Sequence, residues 1–187
     1  SGDLTLGGQT MTVVGSFVTQ SSATLTMTNA LDSLLVTGAG IFGGNAGSLT
    51  GGYLKIGGSF TQTNGTSNTS FAASGTHTTE LGAAAVRVVN FASPGLALSH
   101  FHHLIVTTAT GGLSLVNNTF LTGQLISHPT GATPLIGVTA GPRVLTVGGV
   151  DVSRLTIDQN GLSIGAGTIT QFDTVSFTGL PISATQL

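Results

Sequence analysis

Short stretches of alternating apolar and hydroxyl residues recur along the whole chain. In residues 23–28, Leu25 and Met27 fall on one side of an extended segment and three threonines fall on the other. This period of two is typical of a half-buried β-strand. Good helix formers are scarce, and the one candidate helix, 81–86, is equally compatible with a turn into a strand. We therefore expect an all-β chain with almost no helix.

A repeated tripeptide indicates how these strands are arranged. Gly-Ser-Phe opens a Thr-containing strand at 15–17 and again at 58–60, 43 residues later. Degenerate repeats of short strands separated by glycine are typical of a β-solenoid. The sequence predicts a single-stack, right-handed parallel β-helix of about eight coils, with roughly 20 to 25 residues in each. An antiparallel β-sandwich is the alternative, although Asn-Gly hairpin turns occur only at 64–65 and 160–161.

The alternation also predicts which side chains point into the coils. The expected inward residues are apolar and have Thr, Ser or Lys as neighbours. They are Leu4, Leu6, Val13, Phe17, Leu25, Met27, Leu34, Val36, Leu54, Ile56, Phe60, Leu104, Val106, Leu113, Leu115, Leu155, Ile157, Leu162, Ile164 and Phe177.

Composition narrows the class of protein. Only 5% of the 187 residues are charged, against about 25% in an average soluble domain. The four cations, Lys55, Arg87, Arg143 and Arg154, are scattered, and the net charge is −2. We therefore expect no nucleic-acid partner. No apolar run reaches the roughly 20 residues that a membrane helix needs, so we also expect no membrane span.

The middle of the chain resembles a known type of repeat. The segments that carry the resemblance are 71–77, 86–95, 101–106 and 121–125, and 150–157 and 172–177 continue the same style. Together they are similar to the degenerate β-helical repeats of very large secreted bacterial surface proteins. The resemblance implies an extracellular or cell-surface location and a passive, filament-forming or adhesin-like role. The resemblance implies no catalytic, cofactor-binding or metal-binding residues in this chain.

Acidic residues are the candidate chemistry of an enzyme on this fold. Asp151, Asp158 and Asp173, with Arg154, form the densest group, at spacings of seven and fifteen residues. Paired carboxylates in a groove would suit polysaccharide cleavage. Single Asp residues beside Gly and Ser are, however, typical of turns, where they accept hydrogen bonds from nearby backbone. We expect no catalysis, and a carbohydrate-active β-helix enzyme is the alternative function.

Histidines are the candidate metal ligands: His77, His100, His102, His103 and His128. A metal site needs two or three imidazoles at about 2.1 Å from one ion. No acidic residue lies near 100–103 in sequence to orient the rings. If Phe101 and Leu104 both point inward, the chain bends between them and separates the imidazoles. We expect surface or corner histidines, with no metal and no cofactor.

A row of outward threonines raises a less favoured alternative, ice binding. Thr24, Thr26 and Thr28 form one row. A flat lattice needs the same row in every coil, and the later strands carry single Thr, Ser or Asp instead. Thr is also a favourable residue on the exposed side of any strand.

Both ends of the chain are as apolar as its middle. The opening 4–6 and the closing 175–182 carry neither an amphipathic helix nor a cluster of charge to cap a terminal coil. We expect residues 1–187 to form one solenoid domain, a processed protein or a piece of a longer chain. The predicted partners are identical copies joined end to end, with neighbouring domains of the same chain as the alternative. A carbohydrate or another cell-surface component is the expected class of ligand.

Overall fold

The computed structural model of the chain consists of strands and their connections. It describes residues 2–82, 85–107, 112–129, 132, 134–139, 143–158, 162–164 and 168–178, and only the backbone of 153, 154, 156–158, 162–164 and 168–178. The strands in chain order are β1 Leu4–Thr5, β2 Thr10–Val13, β3 Phe17–Gln20, β4 Leu25–Met27, β5 Ser33–Val36, β6 Gly40–Gly43, β7 Ser48–Leu49, β8 Tyr53–Ile56, β9 Phe60–Gln62, β10 Thr78–Leu81, β11 Arg87–Phe91, β12 His103–Val106, β13 Gly112–Leu115, β14 Thr119–Phe120, β15 Gln124–Ser127, β16 Leu135–Val138, β17 Arg143–Thr146, β18 Gly149–Asp158, β19 Leu162–Ile164 and β20 Thr168–Thr178. No helix occurs among these described residues, and therefore none that could cross a membrane.

The strands stack into three faces, and every pair of strands in the described chain is parallel. The first face contains β2, β5, β8, β10, β12, β15 and the starts of β18 and β20. The second contains β3, β6, β9, β11, β13, β16 and the ends of β18 and β20. The third contains β1, β4, β7, β14, β17 and β19, with isolated bridges in its middle. The predicted β-solenoid is confirmed, and the antiparallel sandwich is wrong.

The number of coils is smaller than predicted. The chain winds through about six turns rather than about eight. One reason is that some coils are long: Thr61 pairs with Asn90, 29 residues further on. Beyond β16, β18 and β20 each pass from the first face to the second as one strand, of 10 and 11 residues. Six coils spaced by about 4.8 Å make a stack roughly 30 Å long.

The Gly-Ser-Phe tripeptide marks one corner of the coil. Phe17 pairs with Gly40 and Gly40 pairs with Phe60, so the 43-residue offset corresponds to two coils. At the same corner of the coil between them lies Gly38. A Cβ added there would lie 2.6 Å from the backbone carbon of Gly15. Only glycine fits so close an approach of two backbones.

The serine of each tripeptide serves the next coil. The Ser16 Oγ accepts a hydrogen bond from the Ala39 N–H at 3.3 Å, and the Ser59 Oγ accepts one from the Val88 N–H at 3.1 Å. Each serine therefore satisfies a backbone donor at the corner of the following coil. The repeat in the sequence is thus a repeat of the contact between coils.

Phenylalanine rings fill the interior. Six of the nine in the chain contact one another: Phe17, Phe42, Phe60, Phe71, Phe91 and Phe101. Phe60 is central, with four of the other ring centroids at 4.7 to 5.3 Å. Such offset and edge-to-face pairs add to the stabilisation from burial. The alternation predicted only Phe17 and Phe60 of this cluster as inward.

The predicted inward residues lie where the alternation places them. Every one whose side chain the structure describes is buried or half-buried, so the predicted register is confirmed. The half-buried ones are Leu4, Val13 and Phe17, which pack against the core from the first coil. The predictions for Ile157, Leu162, Ile164 and Phe177 concern side chains outside the described part.

Candidate functional site

A cluster of polar side chains lies on the outer side of the first face. Glu80, on β10, accepts hydrogen bonds from the Tyr53 hydroxyl on β8 and from the Thr107 hydroxyl at 2.8 Å. Its Oε1 lies 2.7 Å from the Lys55 Nζ, also on β8. Only 11% of the Glu80 side chain is exposed, whereas 46% of the Lys55 side chain is exposed. The carboxylate therefore lies beneath the side chains that it binds.

The electrostatics of this cluster keep Glu80 ionised. Burial raises the pKa of Glu80, but hydrogen bonds from Lys55, Tyr53 and Thr107, with the charge of Lys55, lower it, and the lowering prevails. Burial, the hydrogen bond to Glu80 and the charge of Glu80 all raise the pKa of Tyr53. At neutral pH the cluster holds one positive and one negative charge.

Nothing in the linear sequence singles out this cluster. Lys55 is one of four scattered cations, and Glu80 is an isolated acid. The signal that links them is their separation of 25 residues, which is the length of this coil, because Lys55 pairs with Glu80. Residues separated by one coil length are vertical neighbours in a solenoid.

Three histidines, His77, His102 and His103, lie at or beside the corner that precedes the first face. His77 is fully buried, and its Nδ1–H donates to the Gly51 carbonyl at 2.8 Å. The His102 and His103 rings lie 4.2 Å apart, and His103 Nδ1 accepts from the Gln124 N–H at 3.0 Å. Burial lowers the pKa of His77, His102 and His103. These imidazoles are therefore neutral at neutral pH.

Of the five histidines, His77 and His100 depart from the expected surface position, His102 and His103 are half-buried, and His128 is exposed. His77 and His100 are buried, and the Nδ1–H of His100 donates to the carbonyls of Gly95 and Leu98. Backbone carbonyls accept from the Nδ1–H of both buried rings, whereas the Nε2 of His77 has no hydrogen-bond partner among the described residues. Phe101 and Leu104 both point inward, so the chain bends between them. Within the described residues, no three His, Asp or Glu side chains lie close enough to hold a metal ion.

The three candidate aspartates lie in strands and not in turns, so the turn interpretation is wrong for them. Asp151 and Asp158 both belong to β18, but Asp151 lies in its part on the first face and Asp158 in its part on the second. Asp173 lies on β20, two residues beyond Gln171, the partner of Asp151. The Asp151 Oδ1 lies 2.8 Å from the His128 Nε2. The side chains of Asp158, Asp173 and Arg154 lie outside the described part.

Two other aspartates make the turn contacts that the sequence suggested for this residue type. Asp32 is buried, and its Oδ2 accepts from the Asn29 N–H at 3.0 Å while its Oδ1 accepts from the Gly8 N–H one coil below. The Asp3 Oδ1 accepts from the Thr24 N–H at 3.1 Å. These carboxylates cap backbone donors at corners, and their role is structural.

The threonine row does not extend into a lattice. Thr26 pairs with Thr5 on one side and with Ser48 on the other. Beyond Ser48 the third face continues through isolated bridges. The Thr24 hydroxyl donates to Asp3 at 2.8 Å and is not free to order water. Ice binding therefore gains no support.

The first coil is open on the side away from the second. Strands β1, β2 and β3 lie at the ends of their sheets in the described structure. Phe17 N–H donates to the Ala39 carbonyl, so alternation along β3 directs the N–H of Val18 toward the open edge. Exposed large apolar side chains accompany this edge: Met11, Val14 and Val18 are 39%, 90% and 48% exposed.

Comparison of the chain with family models, with curated proteins and with solved structures finds no match.

Proposed function

We propose that this chain is a non-catalytic structural segment of an extracellular surface protein, adhesin-like in role, which grows by stacking further coils on its open end. The open edge of the first coil is the observation that carries the proposal. Unpaired strand edges invite the addition of another strand. Exposed Val18 and Met11 add apolar area that a further coil would cover.

Identical copies are the partners that this edge suits best. The two ends of a parallel stack are complementary, so a head-to-tail contact repeats without closing and produces a filament. A net charge of −2 over 187 residues offers little repulsion between copies. Coils contributed by the same polypeptide are the alternative occupant of the edge.

Light scattering of the purified chain at micromolar concentration tests the association. We expect particles that grow well beyond the 18.5 kDa of one chain. The Val18→Lys variant places a charge on the open edge and should abolish the growth. Thr61→Lys is the matched control, because Thr61 lies two coils further along the same column of the second face.

The result that would overturn the filament is a stable monomer whose first coil is ordered, as shown by slow hydrogen exchange across β2 and β3. If β2 and β3 are protected from hydrogen exchange only in a longer polypeptide that carries further residues, the open edge is covered by that polypeptide and not by a second copy.

The extracellular and bacterial part of the proposal rests on the resemblance of 71–125 and the later segments to repeats of secreted surface proteins. An antibody against the chain should label intact producing cells. Labelling only after the cells are permeabilised would contradict a surface location.

A further inference from the structure

The chain concentrates its rarest side chains at one place. It contains one tyrosine, one lysine and one glutamate, and the tyrosine and the lysine both bind the glutamate on the outer side of β8 and β10. Outward positions on the second face carry mainly aliphatic, Thr, Ser or Asn side chains, such as Val18, Ile41 and Thr61. A functional surface is therefore best sought on the first face.

The Tyr53 ring is held along this surface. Tyr53 pairs with Thr78, and Glu80 lies two residues further along the same strand, so the hydroxyl reaches diagonally across to the next coil. Diagonal neighbours in a sheet are about 7 to 8 Å apart, which an aromatic side chain spans only by lying across the strands. The anchored and half-exposed ring has little conformational entropy left to lose when a ligand stacks on it.

Apolar side chains flank Lys55 and Glu80 on both sides along the stack. Leu35 pairs with Lys55, Glu80 pairs with Ile105, and Ile105 pairs with Ile126. These side chains form one column along the stack, with a step of about 4.8 Å. Lys55 Nζ has three donor hydrogens and needs one for Glu80, which leaves two for a ligand. The column thus offers donors at Lys55 and apolar contact on either side of the Lys55–Glu80 pair.

The charge of the surface selects the class of ligand. Lys55 and Glu80 neutralise each other, and the pKa of neighbouring His103 is lowered by burial, so its ring carries no charge at neutral pH. No net positive field is present to attract an anionic polymer. Sugar rings present apolar C–H faces and hydroxyl rims, which match an aromatic ring beside paired donors and acceptors.

From these observations we infer that the outer side of the first face, centred on Tyr53, Lys55 and Glu80, binds a neutral polysaccharide along the solenoid axis. The inference deepens the adhesin-like part of the proposed function and depends on it. It is independent of filament growth, because the surface lies on the side of the stack and not at its open end.

The single tyrosine supplies the measurement. The chain has no tryptophan, so the protein fluorescence near 300 nm, roughly where tyrosine emits, comes from Tyr53 alone. The probes are cellohexaose, xylohexaose, mannohexaose and maltohexaose, with hexagalacturonate as the acidic comparison. We expect at least one neutral hexasaccharide to change the emission in a saturable manner, and hexagalacturonate to bind more weakly.

Variants measured by calorimetry locate the site. Tyr53→Ala should weaken binding about tenfold by removing the stacking ring. Tyr53→Phe keeps the ring, frees it from Glu80 and should weaken binding less. Thr61→Ala, on the second face, should bind like the parent chain. Circular dichroism verifies that each variant keeps its strands.

Three results would overturn the inference: no saturable change with any neutral hexasaccharide, tighter binding of hexagalacturonate, or undiminished binding by both folded Tyr53 variants. Measuring light scattering on the same samples separates the two proposals. If the filaments grow but no glycan binds, only the inference of glycan binding is wrong. If a glycan binds but no filaments grow, only the proposal of filament growth is wrong.

Discussion

Phe17 and Phe60 occupy the same place in the same tripeptide, yet their environments differ. Phe60 is fully buried among four other phenylalanine rings. Phe17 is half-buried and contacts one, Phe42, with the ring centroids 6.0 Å apart. The difference comes from position in the stack, because Phe60 has coils on both sides and Phe17 has one. In a solenoid, neighbouring coils supply the burial that a local sequence cannot provide.

Truncation of the two rings should separate these environments most clearly. Phe60→Ala should lower the free energy of unfolding by about 3 to 5 kcal/mol, because it leaves a cavity between packed rings. Phe17→Ala should cost only about 1 kcal/mol in the monomer, because its ring is already partly in water. Urea denaturation in the Val18→Lys background measures both. Equal losses would contradict the contrast between the end and the middle of the stack.

Glycine replacement tests the crowding between coils. A Cβ on Gly58 would lie 2.6 Å from the backbone nitrogen of Ala39, in the coil below. Gly58→Ala should therefore destabilise the chain by about 1 to 3 kcal/mol. Gly95→Ala is the control, since its Cβ would meet only ordinary contacts at 3.4 Å or more from Leu98. An unchanged free energy of unfolding in Gly58→Ala would show that the two coils can move apart at this corner without loss of stability.

Low pH should lower the stability of the coils in the middle of the stack more than that of the first coils. Burial lowers the pKa of His77 below 6.5, so as the pH falls through 6.5 the unfolded chain binds a proton before the folded chain does. Folding stability therefore decreases with falling pH until the lower, folded pKa is reached. The groups that face His77 are the Gly51 carbonyl and the His102 and His103 rings, which offer no negative charge.

Hydrogen exchange between pH 7 and pH 5 locates this effect. Protection should fall in β10 and β12 more than in β2 and β5, because no histidine precedes His77 in the chain. His77→Gln should reduce the pH dependence. The same dependence in His77→Gln as in the parent chain would show that His77 does not cause it.

The smallest effect is expected at Asp151. Its bond to His128 is largely exposed, so Asp151→Asn should change stability by less than about 1 kcal/mol. We also expect the parent chain and Asp151→Asn to release no reducing sugar from polygalacturonate or xylan. Turnover by the parent chain that disappears in Asp151→Asn would favour the carbohydrate-active alternative.

Much of the fold could be predicted because the alternation of apolar and hydroxyl residues is local. Leu25 and Met27 point inward by the geometry of a strand, whatever the rest of the chain does. The tripeptide repeat likewise predicted the stacking, because each glycine and serine serves the adjacent coil. The number of coils could not be predicted, since coil length depends on connections such as the one between Thr61 and Asn90.

The sequence by itself determined that the chain is all-β, that it winds into parallel coils and that the alternating apolar residues, such as Leu25 and Met27, line them. These properties follow from the two-residue alternation of apolar and hydroxyl side chains along each strand and from the glycines that separate the strands. Only the tertiary structure decided that Lys55, Tyr53 and Glu80 meet, and that His77 is buried. The physical reason is that vertical neighbours in a solenoid are set by the length of each coil, and that length varies along the chain.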